Sequence, residues 1–437
     1  MKPIKIMHLA DAHFGIETYG KVDPETGLNT RLADFRRALD LAIDKALEAG
    51  VHLALFAGDA YKSRDPNQTH QREFASCIRR LTDGGVPVVM IAGNHDLPNA
   101  KGRANAIEIY RTLGVENIHI LSRPEVRRIE TAAGSVQIAG VPYLLRSNVL
   151  PREECRNKTI QETTDLMVQK YCEYIDYVAR HLEPGIPSVL LGHFWIKNAK
   201  VSSQAAYLNV AEPEVLVSSV ANPAFDYVAM GHIHKFQDLN KRRTPPVVYC
   251  GGIERIDFSE RNEEKGFVLV ELAKGSASYK FIAIPGRRFV EIEVDVESSA
   301  EGAFAAIASA PSGSGPQADA DDPTAKILDA VRRSEIQDAV VKLLYHISQE
   351  RLPLVREAEI REALSPAFLV VSITKDVIRD TQAVRSRLLN EALDPVQALE
   401  LYFDAKGSAA ADRKRKSELM DYARPLIEEL LAEEQVK

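Results

Sequence analysis

The stretch Val86-Pro87-Val88-Val89-Met90-Ile91-Ala92-Gly93-Asn94-His95-Asp96 places a polar tetrad directly behind a short aliphatic run. Four further runs of this kind end in polar clusters: Asp11-Ala12-His13, Gly58-Asp59, Gly192-His193 and Gly231-His232-Ile233-His234. Such runs are typical of strands that are buried on both faces. In sheets covered by helices, ligands collect beyond the carboxyl ends of the strands, where glycine allows close backbone approach. We therefore expect the five clusters to converge on one site.

The clusters supply a set of oxygen and imidazole donors without a thiolate: Asp11, His13, Asp59, Asn94, His193, His232 and His234. Such a set suits Mn²⁺, Fe or Zn²⁺. These ligands are too many for one tetrahedral ion, whereas two ions sharing a bridging carboxylate would use them all. We expect Asp59 to be the bridge and His95 to stabilise the leaving group during phosphodiester cleavage. A single Gly-His or Gly-Asp is usually a turn, so the prediction depends on the five clusters together.

The order of these motifs resembles that of the calcineurin-like metallophosphoesterases. Residues 249–258, followed by Lys265-Gly266-Phe267, are similar to the segment that closes the nuclease domain of the SbcD-type DNA double-strand-break repair nucleases. The resemblance implies that His95 is the catalytic histidine. It also implies a ligand set for each of two ions, one held by Asp11, His13, Asp59 and His234, and the other by Asp59, Asn94, His193 and His232.

The resemblance further implies a Mn²⁺-dependent DNA exonuclease and endonuclease, with Fe, Zn²⁺ or Mg²⁺ as other metals for the site. It implies a homodimer that works with an SbcC-type, SMC-like ATPase. A metallophosphodiesterase acting on small molecules such as cyclic nucleotides is the alternative, which has no need of the 249–267 segment. A scaffold subunit with an inactive site is a third hypothesis, and the complete set of ligands argues against it.

The chain departs from the family pattern near the predicted catalytic histidine. Relatives commonly carry Asp or His three residues after the bridging carboxylate, where this chain has Lys62. Lys62 and Arg64 would then either contact a backbone phosphate of DNA or be exposed to solvent without a partner. Cys250 and Gly252 also differ from the residues common in the family, Pro and Ser, and we expect neither to bind metal.

Composition agrees with an intracellular enzyme of two or three domains. The chain has 437 residues, of which 45% are hydrophobic, and its four cysteines are widely spaced, as expected for reduced thiols. Its net charge is −7, which is unfavourable for DNA binding. Residues 291–330 hold nine acidic groups and one lysine, a balance of −8, so the rest of the chain sums to +1. No apolar run approaches membrane-spanning length, and we expect a cytoplasmic protein.

The order of patterns predicts an α/β layered β-sandwich flanked by helices over residues 1–285. A small α+β capping domain is expected over residues 286–380, beginning with the alternating strand 289–296 and containing a mobile loop near 309–325. Residues 381–437 carry two amphipathic helical patterns that cannot bury both apolar faces unaided. These helices would either pack on the capping domain or, as the resemblance implies and as we prefer, bind the ATPase partner.

Overall fold

The computed structural model describes residues 2–98, 102–150, 157–201, 212–241, 243–297, 322–378, 396, 399 and 419–427. The chain divides into two compact units. The first takes its residues from Met1–Glu291, Glu335–Val341 and Pro366–Val371, and the second from Ile292–Ser334, Lys342–Ser365 and Ser372–Lys437.

The first unit contains two six-stranded mixed sheets. Sheet one has the order β12-β11-β1-β2-β3-β4, and sheet two has the order β5-β6-β7-β8-β10-β9. Strands β1 to β4 run parallel, as do β6, β7, β8 and β10. The strand bounds are β1 Ile4–Leu9, β2 Leu53–Phe56, β3 Val88–Ile91, β4 Ile118–Leu121, β5 Glu125–Thr131, β6 Gly134–Val141, β7 Ser188–His193, β8 Tyr227–Gly231, β9 Gln237–Asp238, β10 Val247–Tyr249, β11 Gly266–Ala273 and β12 Ser276–Ala283.

Alternation along the strands explains their continuous apolar sequences. In β2, Leu53 and Leu55 enter the cluster shared by both sheets, whereas Ala54 and Phe56 enter a cluster with the helices outside sheet one. Successive strand residues point to opposite faces, so a strand covered on both sides is apolar throughout. A third cluster packs the outer face of sheet two against helix α5, Ile160–Arg180. The predicted α/β sandwich flanked by helices is confirmed.

Polar caps mark where the main helices of this unit begin. Asn29 accepts from the backbone of α1, Asn67 does so for α2, and Thr159 forms a reciprocal capping box with Glu162 at the start of α5. The remaining helices of this unit are short. The bounds are α1 Thr30–Glu48, α2 Gln68–Asp83, α3 Glu108–Thr112, α4 Arg146–Val149 and α6 Val217–Val220, with a 3-10 turn at Phe258–Glu260.

The C-terminal part of the described chain forms a three-stranded sheet and two helices. The sheet has the order β13-β14-β15. The predicted loop near 309–325 lies mostly outside the described residues, and α7 begins at Pro323, capped by Asp322. The bounds are β13 Phe289–Asp295, α7 Pro323–Arg333, β14 Val340–Ser348, α8 Glu357–Ala363 and β15 Leu369–Ile378, with a 3-10 turn at Leu352–Leu354.

Most of the predicted helical pair at 381–437 also lies outside the described residues. Residues 419–427 are helical, including Pro425, at which the sequence suggested a bend. Among the residues that the structure describes, no helix combines the length and apolar character needed to cross a membrane.

Candidate metal centre

The polar clusters lie at the carboxyl ends of parallel strands in both sheets. Strands β1, β2 and β3 lead into the first three clusters, and β7 and β8 lead into the last two. All the predicted ligands except Asn94 are buried, and Asn94 is half-buried. His95, in contrast, is exposed. The fold therefore brings the predicted donors together below a surface at which the predicted catalytic imidazole remains accessible.

One group of donors forms around the histidines that follow β1 and β8. Nε2 of His13 lies 2.9 Å from Nε2 of His234. Asp11 joins them, and one donor atom from each of the three residues lies within 4.8 Å of the others. The Asp11 carboxylate also accepts the backbone N–H of His232 at 3.1 Å, which fixes its orientation.

A second group forms around Asn94. Its Oδ1 lies 3.1 Å from Nε2 of His193 and 3.1 Å from Nδ1 of His232. Asp59 lies between the two groups, because its Oδ2 is 3.3 Å from Nε2 of His193 and 3.7 Å from Nε2 of His13. Its other oxygen accepts the backbone N–H of His95 at 2.9 Å. This position matches the bridging role predicted for Asp59.

The donor atoms of the second group fit a bound cation. Nδ1 of His193 lies 2.6 Å from the carbonyl oxygen of Ala57, which can only accept, so this nitrogen carries a proton. In neutral imidazole Nε2 is then a lone pair, and it faces the oxygens of Asn94 and Asp59, which also offer lone pairs. Ligand atoms about 2 Å from one ion lie roughly 3 Å apart, as these atoms do. A metal ion would remove their mutual repulsion.

The protonation equilibria also indicate that the centre favours positive charge. Burial by itself would lower the pKa of His193, but the Asp59 carboxylate raises it to about 9. Burial would likewise raise the pKa of Asp59, but the neighbouring imidazoles, His193 foremost, hold it well below its ordinary value. The two residues therefore form a buried ion pair when metal is absent, and an incoming cation replaces the imidazolium proton.

Each of four imidazoles in the centre has a contact from outside it. Nδ1 of His95 bonds the carbonyl of Lys62 at 2.7 Å, and Nδ1 of His193 bonds that of Ala57. Nδ1 of His234 lies 2.9 Å from the buried carboxylate of Glu260, and Nε2 of His232 lies 3.0 Å from Glu212. Such partners fix the ring orientation of metal-binding histidines. Glu212 and Glu260 were not predicted.

The signals for these two carboxylates differ. Glu260 lies in the 249–267 segment that carries the resemblance to nucleases, so its neighbourhood, though not its role, was indicated. Glu212 lies outside every motif, and no periodicity marks it. It also contacts Tyr143, whose pKa is raised above its ordinary value by burial and by the nearby Glu212 carboxylate. Tertiary structure alone brings Glu212 to the centre.

Asp96, the last residue of the Gly-Asn-His-Asp tetrad, holds two ligand loops together. Its carboxylate accepts the backbone N–H groups of Asp59, Ala60, Tyr61 and Gly93 at 2.9, 3.3, 3.2 and 3.0 Å. It is fully buried, and burial together with the nearby Asp59 charge raises its pKa to about 7. The residue connects the loop after β2 to the loop after β3, and its role is structural.

Backbone geometry explains two of the motif glycines and shows strain at the ligands. A Cβ on Gly93 would lie 2.1 Å from Oδ1 of Asp59, and one on Gly58 would lie 2.4 Å from Nδ1 of His193. Four of the predicted ligands have positive φ: Asp11 52°, His13 43°, Asp59 57° and His232 97°. Such conformations cost of order 1–3 kcal/mol each and are concentrated at functional sites.

A cavity of about 750 Å³ opens onto the centre. His95, Lys62, Tyr143, Arg146 and Glu212 contribute to its lining. Its volume is in the range of sites for small molecules or for one portion of a polymer. The carbonyl of Lys62 holds His95, while Arg64 is exposed and does not line the cavity. Contact of either basic side chain with DNA stays a prediction.

Comparisons with known proteins agree with this geometry. The family described as calcineurin-like phosphoesterase matches residues 4–236, just over half of the chain, and this range includes every predicted ligand and His95. The DNA double-strand break repair protein Mre11 of Aeropyrum pernix is 24% identical over 298 residues, 67% of this chain and 64% of that protein. The chain thus aligns with slightly less than two thirds of that relative's length.

Two further relatives show similar identity. The DNA double-strand break repair protein Mre11 of Haloferax volcanii is 24% identical over 444 residues, 98% of this chain and 82% of that protein. A polypeptide of the nuclease SbcCD from Staphylococcus epidermidis is 25% identical over 300 residues, 67% of this chain and 73% of that protein. The similarity to relatives bearing these names is therefore modest in identity and extends over much of the chain.

Proposed function

The chain belongs to the calcineurin-like phosphoesterase family, and from this premise we propose that it is a two-metal-dependent DNA nuclease of double-strand-break repair. One observation carries the proposal: the Asp59 carboxylate contacts His193 from the Asn94 group and His13 from the Asp11 group. A carboxylate in this position suits a bridge between two ions. Mn²⁺ is the metal we propose, with Fe, Zn²⁺ or Mg²⁺ as alternatives for the same oxygen and imidazole donors.

The proposed ligands divide as the two groups do: Asp11, His13, Asp59 and His234 for one ion, and Asp59, Asn94, His193 and His232 for the other. Two ions bound there would supply an activated water and would neutralise charge on the phosphodiester oxygens. The Lys62 carbonyl fixes the His95 ring through Nδ1 and leaves Nε2 free of that bond. We propose that Nε2 donates a proton to the departing oxygen.

DNA is the substrate we favour over a small phosphodiester. The relatives described above are named as DNA double-strand break repair proteins or as part of a nuclease. Lys62 and Arg64, both exposed, are proposed to contact backbone phosphates beside the centre. A DNA substrate would place the enzyme in the cytoplasm. The alternative is a small-molecule or cyclic-nucleotide phosphodiesterase, because the cavity has a volume suited to such a ligand.

A substrate comparison distinguishes these two functions. With Mn²⁺, the purified protein is expected to degrade linear duplex DNA and to cleave circular single-stranded DNA, as an exonuclease and endonuclease would. A cyclic dinucleotide, measured by chromatography in the same buffer, should be hydrolysed far more slowly. Faster hydrolysis of the cyclic dinucleotide than of either DNA would support the alternative instead.

We propose that residues 381–437 bind an SbcC-type ATPase, that residues 286–380 form the capping domain, and that the protein works as a homodimer. Support for the binding segment comes from the helical residues 419–427. Leu419, Tyr422 and Leu426 recur there at helical spacing and are 46%, 78% and 51% exposed. Exposed apolar residues in one stripe are typical of a helix that binds a groove in a partner.

Substitution within this stripe tests the partner proposal. The double variant Tyr422→Glu/Leu426→Glu is expected to weaken ATPase association at least ~100-fold, because each change places a charge where apolar area would be buried. Hydrolysis of a simple phosphodiester should be retained, as it should after deletion from Thr381 onward. Asp421→Ala, an exposed change on the same helix, is the matched control. Undiminished association of the double variant would move the binding site elsewhere.

A further inference from the structure

Glu260 and Lys265 form a buried pair behind the metal centre. The two side chains are 1% and 0% exposed, and Nζ of Lys265 lies 2.9 Å from Oε2 of Glu260. Neither residue was among the predicted ligands, and neither lies within the range matched by the family. Buried charges are costly unless they are paired and hydrogen-bonded, so a pair in this position requires an explanation.

Every contact of the pair leads to one imidazole or to the segment that holds it. Oε1 of Glu260 lies 2.9 Å from Nδ1 of His234, and Oε2 accepts the backbone N–H of Ile256 at 2.9 Å. Lys265 donates to the backbone carbonyl of His234 at 2.9 Å and to Glu263 at 3.0 Å. The pair therefore contacts the ring of His234 through one member and its backbone through the other.

We propose that Glu260, held by Lys265, is a positioning residue that fixes the tautomer and orientation of His234 and thereby controls affinity for one of the two metal ions. Glu260 accepts from Nδ1, so the proton stays on that nitrogen and Nε2 presents its lone pair. Nε2 is the atom that lies 2.9 Å from Nε2 of His13. A carboxylate partner also increases the basicity of the metal-facing nitrogen.

The expected effect is selective between the two ions, unlike that of a residue with a general stabilising role. His234 belongs to the group with Asp11 and His13. The second group has its own outside contacts, from the Ala57 carbonyl to His193 and from Glu212 to His232. Loss of the Glu260 carboxylate should therefore weaken one ion and leave the other unchanged. The inference rests on the proposed two-metal function.

The test is Mn²⁺ titration of the full-length protein by calorimetry, together with the visible absorption spectrum of the Co²⁺-loaded form. Glu260→Gln retains the size and one acceptor oxygen, and Lys265 keeps Glu263 as a partner. We expect two binding events in the unchanged protein. In Glu260→Gln, one should weaken roughly 10–100-fold and the other should keep its affinity. The Co²⁺ spectrum should change for the weakened ion alone.

A second variant separates positioning from simple stabilisation. Glu260→Gln/Lys265→Met also removes the lysine charge, so it should recover any melting temperature lost in the single variant but not the metal affinity. Asp226→Asn is the matched control, because this buried acid pairs with Lys274 at 3.3 Å and precedes β8, whose other end leads to His232. It should lower thermal stability without changing either binding event.

The outcomes distinguish the two hypotheses. Two unchanged binding events in Glu260→Gln, or metal affinity restored in the double variant, would overturn the positioning role. Equal weakening of both ions would overturn its selectivity. An unchanged protein that binds no Mn²⁺ would instead contradict the proposed function.

Discussion

Asp59→Asn is expected to abolish two-ion binding and to lower Mn²⁺-dependent DNA cleavage by ~10³-fold or more, a loss of several kcal/mol of transition-state stabilisation. The carboxylate is the only group found, among the described residues, in contact with histidines of both donor groups. Asparagine keeps the shape and an oxygen that can accept the His95 backbone N–H, as Oδ1 now does at 2.9 Å. The variant therefore removes the negative charge while preserving the loop.

Calorimetric titration with Mn²⁺ and cleavage of linear duplex DNA measure the two effects in one preparation. Asp65→Asn is the matched control, because Asp65 is an exposed carboxylate in the same loop. It should leave both the number of bound ions and the rate as they are. Two ions bound to Asp59→Asn with unchanged affinity would show that the bridge has been assigned to the wrong residue.

The positions of the predicted ligands could be anticipated because their signal is local. Each follows an apolar run, and parallel strands in two facing sheets bring the ends of such runs together. The predicted strand at 227–230 and the observed one, Tyr227–Gly231, differ by a single residue. The predicted α/β sandwich depended on this periodicity, which the side chains of one strand reveal without knowledge of any other.

The outside contacts of the centre could not be anticipated, because their signal is not local. Glu260 meets His234 across 26 positions, and Glu212 reaches His232 from a stretch without a motif. Lys62 shows a different limit. The sequence indicated that the usual side-chain partner of the catalytic imidazole was missing, but a backbone carbonyl of the same residue takes its place. Every residue has a carbonyl, so sequence alone does not reveal such a substitution.

His95→Ala is expected to retain both ions and to lose ~10²–10⁴-fold in the rate of DNA cleavage. His95 is exposed at the cavity, and its described polar contacts are a backbone N–H bond to Asp59 and a ring bond to the Lys62 carbonyl. Alanine preserves the first contact, so Asp59 should keep its position. Metal content measured by calorimetry should match the unchanged protein. His181→Ala, an exposed histidine at the end of α5, is the control.

The size of the His95→Ala effect should depend on the leaving group. A DNA alkoxide needs a proton as the bond breaks, whereas a nitrophenolate departs readily without one. The variant should therefore lose far less activity on bis(p-nitrophenyl) phosphate than on DNA if His95 acts as the proton donor. An equal loss on both substrates would instead indicate that His95 orients the phosphate or the ions. Undiminished DNA cleavage would remove His95 from the mechanism, since no activity would then depend on its imidazole.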